Sequence, residues 1–493
     1  MQGLGFTRSI TGAALIVGGG IAGIQTALDL AESGIKVYLV ESSPAIGGKM
    51  AQLDKTFPTN DCAICILSPK LVECGRHPNI DVITNAEIRK VDGEVGNFTV
   101  IVDAHPRYVN PAKCTGCGNC AKVCPVSIPD EFNEGLSERK AIYMRYPQAI
   151  PMAFGVDIEH CRKCKACMKK CEAGAINLND KGWREKLNVG AIVLAPGYEV
   201  YDARLAEEFG FGRYPNVVTS LQFERILSAS GPYEGHIKRP PYGREPQRIA
   251  FLQCVGSRDR DHDYCSSFCC MYATKEAMLA REHLPQTSCH NFMMDMRSFG
   301  KGFERYYERA RTEYGIDYVR CRVSSLKEIP SSRNLILRYE AETGEIKDEE
   351  FDLVVLSVGA EISAEAKKLA KILGINLNEY GFCWTDEVAP LDTSREGIYV
   401  CGPFSEPKDI SDSVAQASGS AARALSVLSR AKGSLVKEKK YPKEKEVEGK
   451  EPRVGIFVCH CGSNIAGVVD VKAVVDFAWT LNGVVHAENL LYA

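Results

Sequence analysis

Two runs of cysteine share one spacing. Cys114-x2-Cys117-x2-Cys120-x3-Cys124 is followed by Pro125, and Cys161-x2-Cys164-x2-Cys167-x3-Cys171 repeats the pattern with Glu172 in the proline's place. Three thiolates this close wrap three corners of an iron–sulfur cubane, while the fourth in each run reaches the other cluster. The spacing assigns Cys114, Cys117, Cys120 and Cys171 to one [4Fe–4S] cluster, and Cys161, Cys164, Cys167 and Cys124 to a second. A zinc site shows cysteine pairs, not a repeated run of four. Such a module stores and passes single electrons and makes no bonds of its own. Arg162, Lys163, Lys165, Lys169 and Lys170 surround the second run. A solvated face is the plainer reading of them, and a raised cluster potential or an acidic partner the sharper one.

A second motif handles phosphate. Gly18-x-Gly20-x-x-Gly23 lies between the strand-like run Ala14-Leu15-Ile16-Val17 and a helix-like segment from 24 to 33. Gly18 suits the tight turn, and Gly20, with Ile21 and Ala22, lets a pyrophosphate meet the helix N-terminus. Gly23 allows close helix–strand packing. Glu41, at the end of the next strand and beside Ser42, can accept ribose hydroxyl hydrogen bonds, and its charge disfavours a 2′-phosphate. Gly47-Gly48-Lys49, the stretch from Val189 to Ala195-Pro196-Gly197, and Glu396 to Gly402 resemble the later motifs of two-dinucleotide-domain flavoproteins. That resemblance spans most of residues 12–430 and implies a thioredoxin-reductase-like core holding FAD. Such flavoproteins place Asp after the last glycine, and here Pro403 stands there, so ribityl contacts fall to Ser413 or Gln416.

These residues need elements to position them. A βαβ pattern covers residues 14–41, and residues 80–104 alternate like strands of a small sheet. The expected organisation is an α/β flavoprotein in interleaved pieces. A first FAD-binding part covers 1–105, a ferredoxin-like insertion 106–180, and a second FAD-binding part 181–245. A degenerate nucleotide-binding-like domain covers 246–365, and the closing FAD-binding part 366–431. A lysine- and glutamate-rich linker follows at 432–453, and a partial α/β module at 454–493. The length of 493 residues, 45% hydrophobic and 25% charged, is ordinary for a globular chain of roughly three domains. A net charge of −3 offers no reason to expect nucleic acid. No run approaches the ~18 apolar residues of a membrane helix, and the early apolar stretch breaks at three glycines, not at a cleavage site. The 21 cysteines in so long a chain read as thiolates committed to metal in a reducing compartment, hence a cytoplasmic protein.

A third constellation occupies the place where a second glycine fingerprint belongs. After the strand-like residues 248–253 come Cys254-Val255-Gly256-Ser257-Arg258, then Cys265-Ser266-Ser267-Phe268-Cys269-Cys270, with Lys275 five residues on. Sulfur where phosphate-binding glycines should stand disfavours NAD(P)H as a direct donor through that domain. Together with Phe57-Pro58-Thr59-Asn60-Asp61-Cys62-x2-Cys65 and Lys408-Asp409-Ile410-x-Asp412, this stretch resembles the A-type subunit of heterodisulfide reductase. The resemblance implies a flavin-carrying, multi-cluster hub associated with electron bifurcation, heterodisulfide cleavage belonging to a partner subunit. It places a third [4Fe–4S] cluster on Cys254, Cys265, Cys269 and Cys270, or on three of them with one spectator; buried inert thiols are the plain alternative. Lys275 is the candidate catalytic group, a donor to flavin N5, against the reading of a surface lysine. For Cys62 and Cys65, cluster-related use ranks ahead of a redox-active disulfide or packing. Cys74, Cys289, Cys321, Cys383 and Cys401 read as packing residues.

The tail from Arg453 through Cys459-His460-Cys461 resembles the module that precedes the flavin domain in that family. An unread UGA selenocysteine codon is the expectation for its stopping where another cysteine would follow, against a real truncation or an expression boundary. The functional expectation is an FAD and [4Fe–4S] electron-transfer subunit that bifurcates or confurcates electrons. Its expected partners are B- and C-type subunits, a hydrogenase or dehydrogenase input subunit, ferredoxin, and a second copy of the chain. The alternatives are a non-bifurcating NAD(P)H oxidoreductase, or a relay and assembly subunit of an acyl-CoA reductase or quinone-linked complex.

Overall fold

The computed structural model describes residues 10–241, 243–438, 441–461 and 465–491. Two parallel five-stranded sheets organise the chain. The first runs in the order Ile398–Val400, Ala191–Leu194, Ala13–Val17, Lys36–Glu41, Ile80–Thr84. Its strands are apolar on both faces because both faces are covered. On one side, helices Ile21–Glu32, Ala63–Arg76 and Ile410–Leu428 pack over Ile16, Leu39 and Val193. On the other, an antiparallel sheet of Trp183–Val189, Asn97–Ala104 and Ala86–Glu94 packs over Leu15, Val40 and Ile192. Residues 80–104 therefore divide: the first strand joins the parallel sheet and the next two form the hairpin.

The second sheet repeats the plan with Val217–Thr219, Leu353–Val358, Arg248–Val255, Ser288–Met293 and Asp317–Arg320. Its own antiparallel sheet is Val323–Glu328, Leu335–Glu340 and Ile346–Phe351. Val217–Thr219 lies before residue 246, yet it pairs in parallel with Leu353–Val358. The second unit thus recruits an edge strand, and the helix Ser220–Leu227 after it, from a segment expected to belong to the first. Three residues are too short for periodicity to show which sheet they join.

The cysteine-rich insertion hangs between two neighbouring strands. It leaves after Asn97–Ala104 and returns at Trp183–Val189, and Ala104 and Trp183 are register partners. Its ends therefore meet without disturbing the sheet. At the other end of the chain, Val454–Cys459 and Val484–Leu490 pair in parallel against the helix Val471–Ala478. The core of this tail is small (Val475, Ala478, Ala487), and Phe457, Phe477 and Trp479 stay largely exposed. Residues 462–464 and 492–493 of the tail module lie outside the described residues. Among the described residues no helix is long and apolar enough to cross a membrane.

Candidate functional site

One cavity of about 490 Å³ runs from the end of the first sheet to the second, within the size range of cofactor sites. At its first end, a Cβ on Gly20 would meet nothing within 4 Å, so this backbone faces open space. Gly18, at φ +107°, touches Ala195: a Cβ there would fall 2.0 Å from the Ala195 carbonyl oxygen. A Cβ on Gly23 would lie 1.9 Å from the Gly18 carbonyl oxygen, so glycine at 23 is what lets helix and strand meet. Glu41 accepts hydrogen bonds from the Gly19 N–H at 2.6 Å and the Ser43 N–H at 2.8 Å, which fixes its carboxylate in the cavity wall. These features fit the adenosine half of FAD: an open glycine cradle at a helix N-terminus and an acid where the ribose would lie.

Of the flavin-site candidates, Gly18, Gly20, Ile21, Ala22, Glu41, Ser42, Gly48, Lys49, Ala195 and Gly197 line this cavity, and so does Lys275. Gly23, Gly47, Gly402 and Gln416 do not. Gly47 shapes the loop, its N–H donating to the Gly19 carbonyl at 2.7 Å. Gln416 stands behind the wall, its Oε1 accepting from the Gly402 N–H at 2.8 Å and fastening that turn. Ser413, the other ribityl candidate, does line the cavity, as do Cys401, Pro403 and Lys408. Of the presumed packing cysteines, Cys74, Cys289 and Cys383 are buried, Cys321 is half-buried, and Cys401 is buried but stands in the cavity wall.

The far end of the cavity is a buried charged group. Lys275, 1% exposed, ion-pairs with Glu224 and donates to the Lys55 carbonyl at 2.7 Å. Burial excludes the surface-lysine reading. Glu276, fully buried beside them, has its carboxyl pushed well up, first by burial and then by the Glu224 charge. Burial lowers the Lys49 ammonium, outweighing the opposing charges of Glu134 and Glu199, and its Nζ sits over the Tyr198 ring at 5.6 Å. Sequence reasoning missed Glu224 because no motif marks the helix Ser220–Leu227. Its only local signal is a capping box, Thr219 with Gln222.

Asp54, whose backbone N–H donates to Glu224 at 2.9 Å, is pushed up to about 7 by burial and the Glu224 charge. Native Asp54 therefore binds its proton more tightly than an unfolded aspartate. Its stabilising contribution is complete below about pH 4 and falls as pH rises through 7. Denaturant midpoints should drop by the equivalent of roughly 3–4 kcal/mol between about pH 4 and pH 8, and Asp54→Asn should flatten that slope. An unchanged slope in the variant would remove Asp54 as its source.

The candidate cluster thiols gather in three places. Cys124, Cys161, Cys164 and Cys167 line one small apolar pocket of the insertion, the set given by crosswise ligation. Cys120 is pushed up to about 11 by burial, with Cys114 and Cys117 near enough to add to it, and Cys117 feels Glu172, beside Cys171. Cys254, Cys265, Cys269 and Cys270 are mutual neighbours, the last two opening the helix Cys269–His283 where a nucleotide phosphate would otherwise sit. Among the described residues no three metal-binding side chains close on a single-ion site.

Both runs of the insertion bend alike. Gly116 and Gly118 have φ of +72° and +75°, and the matching Lys163 and Lys165 have +52° and +64°. A left-handed turn costs a side-chain-bearing residue about 1–2 kcal/mol. Lys165→Gly should therefore stabilise the second loop by roughly 0.5–1 kcal/mol after glycine's own entropy loss. Chelator-driven iron release should slow; faster release would contradict the assignment.

The insertion also reaches the cavity. Arg145 lines it, and the loop around 130–137 is held by Gln52, whose amide donates to the Phe132 carbonyl at 3.0 Å. Arg225, fully buried, donates to Asn133 at 2.9 Å and to the Gln52 carbonyl at 2.9 Å, with its guanidinium over the Phe132 ring. Cys62 and Cys65 are joined in a disulfide.

Comparison with known proteins agrees with both motifs. A model described as FAD dependent oxidoreductase matches residues 14–61, and one described as 4Fe-4S dicluster domain matches residues 113–176. The chain is 50% identical over 418 residues to the A-type iron-sulfur subunit of the CoB--CoM heterodisulfide reductase of Methanocaldococcus jannaschii, covering 84% of this chain and 64% of that one. It is 44% identical over 420 residues to the A-type subunit of the H(2):CoB-CoM heterodisulfide,ferredoxin reductase of Methanothermobacter marburgensis, covering 84% and 64%. It is 43% identical over 474 residues to a protein of Archaeoglobus profundus described as like the A-type subunit of heterodisulfide reductase, covering 86% and 67%. The chain spans just under two thirds of the length of the first two. Among solved structures it is similar to Lactococcus lactis thioredoxin reductase, at 13% identity and TM-score 0.48 over 85% of this chain and 99% of that one. The two matched domains support FAD and [4Fe–4S] clusters as its redox groups, and the chain belongs to the family of A-type heterodisulfide reductase subunits.

Proposed function

We propose that the chain is the flavin hub of a heterodisulfide-reductase-like complex and divides electron pairs between two routes. The carrying observation is that one cavity touches both cluster carriers. Arg145 of the insertion stands in its wall, and the helix Cys269–His283 opens with Cys269 and Cys270 and reaches the cavity five residues later at Lys275. Two exits from one flavin are what a bifurcating or confurcating centre needs. A relay with a single acceptor needs one.

The flavin supplies the exchange between two-electron and one-electron chemistry. Gly18, Gly20 and Glu41 would hold its adenosine half, and Lys49 and Lys408 line the walls. Lys275, ion-paired with Glu224, would present positive charge to the ring and favour its reduced form. Glu276, its carboxyl pushed up by burial, stands in the same wall. Cys254, Cys265, Cys269 and Cys270 would hold a third [4Fe–4S] cluster beside the two of the insertion. By analogy with the relatives' names, a heterodisulfide and ferredoxin are the acceptors, and the other members of the complex are the partners.

Stepwise reductive titration tests this. The flavin should take both electrons in a single two-electron wave, because crossed potentials prevent the half-reduced form from accumulating. Two resolved one-electron waves would sink the bifurcating reading. Rapid flavin bleaching by NADH alone would instead favour an ordinary NAD(P)H oxidoreductase.

A further inference from the structure

We propose that Arg258, held by Asp295 with Arg297 beside it, sets the reduction potential of the cluster on Cys254, Cys265, Cys269 and Cys270. The inference rests on the reading of those four thiols as a third [4Fe–4S] site. Reduction adds one negative charge to an already anionic cluster, so a guanidinium against its sulfurs favours the reduced form. Arg258, Asp295 and Arg297 are tuning groups: none of them lines the flavin cavity, and none is a ligand to iron.

Arg258 faces two ways. Its guanidinium ion-pairs with Asp295, Nη2 donating to Oδ2 at 3.2 Å, and it also hydrogen-bonds the Cys254 sulfur. Its charge reaches Cys265 as well. From the other side Arg297 donates to the same carboxylate through Nε and Nη2, both at 3.1 Å, and its charge too is felt at Cys265. Two guanidiniums share one carboxylate, which leaves net positive charge beside the sulfurs. The main chain adds donors. The Ser267 N–H donates to Cys265 Sγ at 3.3 Å, and the Arg297 N–H donates to Cys270 Sγ. Cys270 Sγ lies 3.9 Å from the Asp295 carbonyl oxygen, so the segment carrying Asp295 and Arg297 runs along the thiols.

The backbone bends to make these contacts. Cys254, Arg258 and Ser267 hold φ of +60°, +58° and +63°, where a residue with a side chain is strained. Those bends bring the arginine and the Ser267 N–H to sulfur, which a surface ion pair kept for stability alone does not require. The Arg258 side chain is 24% exposed and Asp295 38%, so solvent weakens the field at the cluster without abolishing it.

The test reads a potential and not turnover. The full chain is loaded with flavin, reconstituted anaerobically with iron and sulfide, and poised at stepped potentials, its reduced clusters being read by electron paramagnetic resonance. The signal at issue is the one that disappears, with about four irons per chain, in Cys269→Ala. Arg258→Gln should lower that cluster's reduction equilibrium about tenfold, equal to about 59 mV for one electron. Asp295→Asn should raise it several-fold, because both guanidiniums then act on sulfur unopposed. Arg258→Lys should stay closer to the parent than Arg258→Gln. The opposite signs separate charge from packing, since a disturbed loop moves both variants the same way. Shifts of equal sign, no shift, a lysine variant displaced as far as the glutamine one, or loss of this cluster's iron in Arg258→Gln overturns the proposal while the third cluster stands. A Cys269→Ala chain that keeps all its iron and every signal overturns the cluster reading, and this proposal with it.

Discussion

Glu224→Gln is expected to destabilise the protein by about 3–5 kcal/mol, because it leaves the Lys275 ammonium buried without its counter-charge. Both side chains are almost fully buried, so water cannot take over. The Lys55 carbonyl can still accept from Nζ, but a carbonyl dipole does not replace a carboxylate. The double variant Glu224→Gln with Lys275→Met should recover most of that loss, since removing both charges also removes the desolvation cost. Lys275→Met alone should also cost stability, because it leaves the Glu224 carboxylate buried without its partner. Denaturant unfolding followed by flavin release and by ellipticity would report all three. A single Glu224→Gln variant as stable as the parent would show that the pair is not formed in solution.

Arg225→Met is expected to loosen the ferredoxin-like insertion from the flavin units. The guanidinium joins Asn133, the Gln52 carbonyl and Ser230 while covering the Phe132 ring, and it is fully buried. Methionine keeps the apolar contact but leaves those acceptors unmet, at about 1–3 kcal/mol for each one that stays buried. Hydrogen exchange across residues 130–137 should speed at least tenfold, while iron content holds, because the cysteine loops fold on their own contacts. Electron transfer between flavin and insertion should weaken with the lost docking. Unchanged exchange at 130–137 would place the anchor elsewhere, with Gln222, which donates to the Glu134 carbonyl at 3.0 Å, the next residue to test.

The adjacency of Glu224 and Arg225 shows why much of the site is hidden from a linear reading. Both lie on one short helix, one turned to the cavity and its neighbour to the insertion. Nothing in their types marks them, because a Glu-Arg pair on a helix is ordinarily a solvated face. Burial changes their meaning, and burial here depends on an insertion that begins more than a hundred residues earlier. Gln416 misleads in the opposite direction. By position it is a reasonable flavin ligand, yet its amide is spent on the Gly402 N–H. Ser413, one helical turn before it, lines the cavity instead.

What sequence alone determined is the chemistry whose ligands sit on consecutive loops. The eight ferredoxin-type cysteines and the Gly18, Gly20, Gly23 turn are legible because a few adjacent dihedrals set their geometry, so spacing is nearly structure. Even the left-handed turns at Lys163 and Lys165 follow from the repeat, where Gly116 and Gly118 hold the same bends. Only the tertiary structure decided which residues far apart in the chain meet: Lys275 with Glu224, Arg145 at the long cavity, and Val217–Thr219 in the second sheet. Those meetings come from parallel strands far apart in the chain, and their energies come from excluding water. Neither can be read from neighbours along one strand of residues.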